Sequence, residues 1–216
     1  IERNGTVKRL AHAGYRAPNT LETYYLIKGV LTVALPVIAL FATRFFPELS
    51  GTQIILITGV AAFIGMIGPS YVLDKLVIRR MKLLRDGFPD ALDLLVVCVE
   101  SGLGLAAAIE RVAREIGVSH ADLATELALV NAEMRAVVDR SKALRNLSDR
   151  TGLDDIRGLV SMLIQAMRFG TSIADTLRIY SEEFRDRRMQ KAEETAATIS
   201  TRLIFPLVFC MFPSFF

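Results

Sequence analysis

Apolar and polar positions follow one another along this chain in two regimes, and each predicts a different kind of helix. From Tyr24 to Phe46 the residues are overwhelmingly apolar. Gly29 to Thr43 carries no charge, with Lys28 and Arg44 at the ends, where long side chains reach polar surroundings. This predicts a first membrane-spanning helix, kinked near Pro36. The PELSGTQ that follows is short and polar and reads as a tight turn at a membrane surface. From Gln53 to Leu73 no residue carries a charge. That stretch is long enough to cross a hydrocarbon core of about 30 Å at about 1.5 Å per residue.

Beyond Leu73 the pattern becomes amphipathic and almost purely helical, and part of it repeats. The stretch from Phe88 to Ile116 recurs in altered form in a second stretch that ends at Phe184. In a single constant register Leu94, Leu95, Val96 and Val99 fall on Met162, Leu163, Ile164 and Met167, and Gly102 falls on Gly170. Leu105, Ile109, Val112 and Ile116 fall on Ile173, Leu177, Tyr180 and Phe184, a helical stripe in both copies. Each copy reads as an apolar helix, a glycine stop and an amphipathic helix. Glycine reaches positive φ without steric cost, so Gly102 and Gly170 can end helices. Ser172 followed by Asp175 makes a capping box that restarts the second one.

Around this repeat the spacing predicts further helices. A short basic helix ends near Gly87, and Pro89 with Asp90 opens the next, since proline suits a first turn and a carboxylate the positive end of the dipole. Positions 123, 127, 130, 134 and 137 form an apolar stripe. A short helix carries Ala143, Leu144 and Leu147 and stops at Thr151-Gly152, and Leu153, Ile156, Val160, Leu163, Ile164 and Met167 face the core from the next. The last helix has no stop signal from Ser172 into LIFPLVFCMFPSFF. Those fourteen uncharged residues, containing Pro206 and Pro213, are too few to span alone and read as the start of a third membrane helix.

Composition sharpens this division. Hydrophobic residues make up 52% of the 216, charged ones 23%, and mean hydropathy is +0.38, so membrane segments are expected beside a polar domain. The net charge of +3 sits wholly ahead of Asp74, where 6 Lys and Arg stand against 3 Asp and Glu. Residues 74–202 carry 20 of each, and a neutral domain has no general footprint for nucleic acid. Lys75, Arg79, Arg80, Lys82 and Arg85 follow the second span, whereas the turn before it has only Glu48. By the positive-inside rule the N-terminal segment and everything after Leu73 are expected in the cytoplasm, with the turn facing outward. The same basic cluster can also meet anionic headgroups or a partner. Residues 1–23 lack a signal-peptide pattern and a starting Met, so an upstream portion is expected.

Little in the chain carries catalytic chemistry. There is no phosphate-binding G-x-x-x-x-G-K-[ST] and no G-x-S-x-G, and His12 and His120 have no cysteine or paired acidic ligands near them in sequence. No metal, cofactor or catalytic residue is therefore expected. Cys98 and Cys210 lie in apolar runs and read as small buried hydrophobes. Glu100, at the end of an apolar helix, reads as an ion ligand or partner contact, or as an exposed helix-end residue.

Three segments together resemble a known family: FPDALDLLVVCVESGLGLAAAIERVA, SKALRNLSDRTGLDDIRGLVSMLIQAMRFGTSIADTLR, and RRMQKAEETA running into IFPLVFCMFP. They resemble the type II secretion system F domain, more narrowly the TadC-like platform proteins of tight-adherence (Tad, Flp or type IVc) pili. RLAHAGYRAP extends the resemblance ahead of the first span. Asp139 departs from it, standing where a glycine is expected before Arg140 and Ser141.

The resemblance implies an inner-membrane platform that couples a cytoplasmic hexameric ATPase to pilin assembly or extraction. It works beside a sibling, TadB-like platform protein and forms a homo- or hetero-oligomer. The expected fold is an all-α integral membrane protein: a cytoplasmic bundle of about six helices, built on a repeated hairpin and attached to transmembrane helices. Its expected parts are an N-terminal segment 1–23, a membrane hairpin 24–73, the bundle 74–202 and a third membrane helix from 203. Arg79, Arg80, Lys82, Arg85 and Glu100 are the expected partner surface, and Pro89, Gly102, Gly170, Ser172 and Asp175 the structural turns. The alternative is a helical transporter or channel component, against which stands the absence of charge near the middle of either span.

Overall fold

A computed structural model describes residues 2–15, 19–43, 51–136 and 139–211, and every regular element among them is an α-helix. In order these are α1 (Glu2–His12), α2 (Thr20–Thr43), α3 (Gly51–Glu100), α4 (Leu105–Glu115), α5 (Ala121–Ala136), α6 (Arg140–Thr151), α7 (Asp154–Phe169) and α8 (Ile173–Met211). The turn expected over 47–53 lies outside the described residues up to position 50. So do positions 44–46 at the end of the first span, Val137 of the α5 stripe, and the chain beyond Met211 with Pro213.

α2 and α3 are both long and apolar enough to cross a membrane. No residue of α2 is buried within the protein, so its apolar surface is not that of a soluble core helix. The two helices approach closely at Gly65, where a Cβ would stand 2.7 Å from the Leu31 carbonyl oxygen. Thr32 Oγ1 donates to Lys28 O at 2.7 Å and lies 3.4 Å from Gly65 O at the same crossing. A small residue and a hydroxyl are the usual means of packing helices where no hydrophobic driving force separates lipid from protein.

The break expected at Gly87 and Pro89 does not occur. α3 continues as one helix of 50 residues, about 75 Å at about 1.5 Å per residue, which exceeds the hydrocarbon thickness by more than half its length. Pro89 costs the helix a hydrogen bond and about 3 kcal/mol. Leu84, Phe88, Leu92 and Leu95 are buried on both sides of it, at about 1.5–3 kcal/mol for each large side chain, so core burial outweighs the proline. Gly87 serves close packing instead, since a Cβ there would lie 2.6 Å from the His120 ring.

The second half of α3 and α4 to α8 make a bundle of six helices. Each packs on the next, and α8 closes the ring against α3. The predicted stripes form its core: Leu105, Ile109 and Val112 from α4 with Ile116 at its C-cap, Leu123, Leu127 and Val130 from α5, and Leu177, Tyr180 and Phe184 from α8 are buried. Cys98 is buried there too, whereas the Cys210 side chain is not among those described.

The two glycine corners share one geometry. Gly102 has φ +93° and Gly170 φ +69°. Leu103 N donates to Cys98 O at 3.1 Å, and one repeat later Thr171 N donates to Ala166 O at 3.1 Å, the six-to-one bond of a Schellman stop. The glycine amides differ, Gly102 N donating to Val99 O and Gly170 N to Ala166 O, and so do the restarts: Gly104 gives α4 no side-chain cap, whereas the amide of Asp175 donates to Ser172 Oγ at 3.2 Å. Asp139, the departure from the family pattern, sits at φ −100° as the N-cap of α6 and accepts from Ser141 N at 2.9 Å. An oxygen acceptor suits that position, and its negative φ does not require a glycine.

Candidate interaction surface

The basic stretch of α3 divides by helical periodicity into two faces. Residues 73, 80, 84, 87 and 91 point one way, into the protein, and 75, 79, 82 and 86 the other. Lys75, Arg79 and Lys82 are exposed. Arg85 is exposed on a flank and lies 3.7 Å from Asp155. Glu100 is exposed at the end of the same helix, fifteen residues or about 22 Å from Arg85, so the fold does not bring it to the basic group.

Arg80 points inward and holds three elements together. Its Nη2 donates to Glu126 Oε1 at 2.8 Å, and its Nη1 lies 3.3 Å from the carbonyl oxygens of both Ala11 and His12, the last of α1. A guanidinium there satisfies orphan carbonyls and opposes the negative end of the helix dipole. Gly14 lets the chain turn over this side chain, since a Cβ would lie 2.9 Å from Arg80 Nη1. The RLAHAGY segment, Arg9 to Tyr15, is thus docked on the bundle, with His12 Nε2 3.0 Å from Asp149 O in α6 and Leu10 buried.

Glu126 is the centre of this knot. It is 0% exposed, and its second oxygen accepts from Arg150 Nε at 3.1 Å. Arg150 also donates to Glu133, which in turn accepts from Asn146 Nδ2 at 2.9 Å. α3, α5 and α6 are therefore joined by one buried network that sequence reasoning did not find. The available signal was a carboxylate at the edge of the stripe formed by Leu123, Leu127 and Val130.

Where the two repeat copies meet, α3 faces α8. Phe88 and Phe184 pack edge to face with ring centres 5.2 Å apart, and Asp93 accepts from Ser181 at 3.0 Å and pairs with Arg185 at 2.7 Å. His120 is not isolated in space, since its Nε2 lies 3.0 Å from Asp90 Oδ2. Among the described residues no three or more His, Cys, Asp or Glu are grouped to hold a metal ion.

Between α6 and α7 runs a groove of about 690 Å³ lined by Arg145, Arg157, Arg168, Asp149, Gln165 and Phe169 among others. This groove and the exposed α3 face both present charged side chains at the surface.

No curated protein and no solved structure matches the chain. A family model described as type II secretion system (T2SS), protein F matches residues 91–216, more than half of the sequence, from the last turns of α3 through α8. The matched region takes in both glycine corners and the helix that leaves the bundle, and the chain therefore belongs to the type II secretion system protein F family.

Proposed function

We propose that this protein is an inner-membrane platform of a tight-adherence, type IVc pilus or a closely related secretion machine. In this reading the bundle lies in the cytoplasm and couples a hexameric ATPase to the assembly or extraction of pilin subunits. A sibling TadB-like platform protein and further copies of the chain complete the assembly. Membership of a family of membrane platform proteins supports the general role.

Helix continuity carries the mechanical part. α3 runs unbroken from its apolar half into the bundle, and α8 runs unbroken out of it to Met211. The two are tied side by side through Phe88 with Phe184 and Asp93 with Arg185. A displacement imposed on the bundle is thus passed along rigid rods to the bilayer. No enzymatic step is needed for that task.

The exposed face of Lys75, Arg79 and Lys82 is the proposed site of ATPase contact. Arg80 does not belong to it, because reversing its charge would oppose the knot around Glu126. The test is the double variant Arg79→Glu and Lys82→Glu, read by ATPase co-purification, piliation and helicity. Binding should fall about tenfold, the order expected for losing two rim ion pairs of about 0.5–1 kcal/mol each, with helicity unchanged. Wild-type co-purification and piliation would remove this face from the proposal.

A further inference from the structure

At the bundle end of the α2–α3 hairpin two cavities of opposite character share a wall. The first, of about 300 Å³, is polar and is lined by Arg9, Tyr24, Tyr25, Lys28 and Ser70 among others. The second, of about 550 Å³, is a groove of apolar side chains that includes Ile27, Leu31, Leu35, Ile64 and Val72. Tyr24 and Leu73 line both, so the polar pocket lies directly beside the groove. Lys28 to Leu35 spans seven residues of helix, about 10 Å, so the groove descends through most of one leaflet of a hydrocarbon core about 30 Å thick.

We propose that this pair of cavities is a binding site for one anionic phospholipid, with the phosphate at Lys28 and Arg9 and an acyl chain in the groove between α2 and α3. The charges facing the pocket favour an anion. Arg9 is paired with Asp74 at 3.1 Å, and Lys28 Nζ lies 3.4 Å from the Ser70 hydroxyl, so the local balance is one positive charge. An ammonium has three donors, and Lys28 keeps two of them for a ligand. Tyr24 bonds Ser70 at 3.2 Å and Tyr25 is exposed, placing two amphipathic rings where headgroups meet hydrocarbon. A partner helix would fill the groove as well, but to match the pocket it would have to carry an acidic side chain to the Lys28 charge, which a lipid phosphate supplies at that depth in any case. The site ties α1, α2 and α3 together where the spans enter the bundle.

The proposal rests on α2 and α3 lying in the bilayer, which alkaline extraction of membranes tests separately. Its own test is native mass spectrometry of the protein in neutral detergent with equal amounts of phosphatidylglycerol or phosphatidylcholine. Wild type should retain phosphatidylglycerol about fivefold better, the effect of about 1 kcal/mol for one cation near anionic headgroups. Lys28→Gln should lose that preference and Lys28→Arg should keep it. Gly68→Leu should reduce retention of both lipids with helicity intact, because no atom lies within 4 Å of a Cβ at Gly68 and the side chain has room to enter the groove. Equal retention of the two lipids by wild type, or an unchanged preference in Lys28→Gln, would overturn the assignment. Displacement by inorganic phosphate alone would reassign the pocket to a free anion. A lipid-free dimer at this surface would give the groove to a second copy.

Discussion

At the residue scale the buried Glu126 is the position on which most depends. Two guanidinium groups, Arg80 and Arg150, are held against one carboxylate that has no exposure to solvent. Removing it leaves Arg80 only the more distant Asp122, at 3.6 Å, and Arg150 only Glu133, so part of the buried charge loses its partner, at a cost of up to about 3–5 kcal/mol. Glu126→Gln should therefore lower the thermal unfolding midpoint strongly in detergent, followed by circular dichroism, and should free α1 to limited proteolysis. A shift no larger than that of an exposed Glu100→Gln control would contradict the knot. Glu110 is the contrasting case, a partly exposed carboxylate at the α4–α5 contact. Hydrogen bonds from Asn131 and Arg114, with Arg135 nearby, hold its carboxyl below the ordinary value. The unfolded chain then takes up that proton first, so the contribution is full at neutral pH and is lost as pH falls through the carboxylate range. Glu110→Gln should flatten the acid limb of the stability profile, and an unaltered limb would deny it this role.

The glycine corners set the geometry at the scale of elements. Gly102 and Gly170 both turn with positive φ, and neither has an atom within 4 Å of where a Cβ would stand. The cost of alanine there is purely conformational, about 1–2 kcal/mol at each. Gly102→Ala and Gly170→Ala should be destabilised by similar amounts in chemical denaturation, with Asn at either position recovering part of the loss. A marked inequality would mean that one corner has a tertiary role the other lacks. The paired corners were legible in the sequence, because a turn with positive φ and the stripe beside it are local properties. The end of α3 was not. Gly87 and Pro89 carry local signals for a break, and the burial of Leu84, Phe88 and Leu92 across them is settled only when α4, α5 and α8 have packed there.

For the whole molecule the consequence is that α3 is a single rod from its apolar half to the bundle and not a span hinged to a separate domain. α8 lies against it where the two repeat copies meet, and α1 is clamped at the junction by Arg80. The basic stretch read in the sequence as one surface is divided by the fold. Arg79 and Lys82 look outward while Arg80 builds the interior, because a helix turning about 100° per residue cannot present neighbours to the same side.

The sequence by itself determined what is periodic or local: the all-helical class, the two apolar helices, the repeated hairpin, its corners and the core stripes. Family membership was legible for the same reason, since it resides in the order of those local units. Only the tertiary structure decided which helices meet, that Pro89 does not interrupt α3, and that Glu126 joins Arg80 to Arg150. Such a buried cluster is stabilised by groups far apart in the chain, and no window of sequence contains both the charge and the partners that neutralise it.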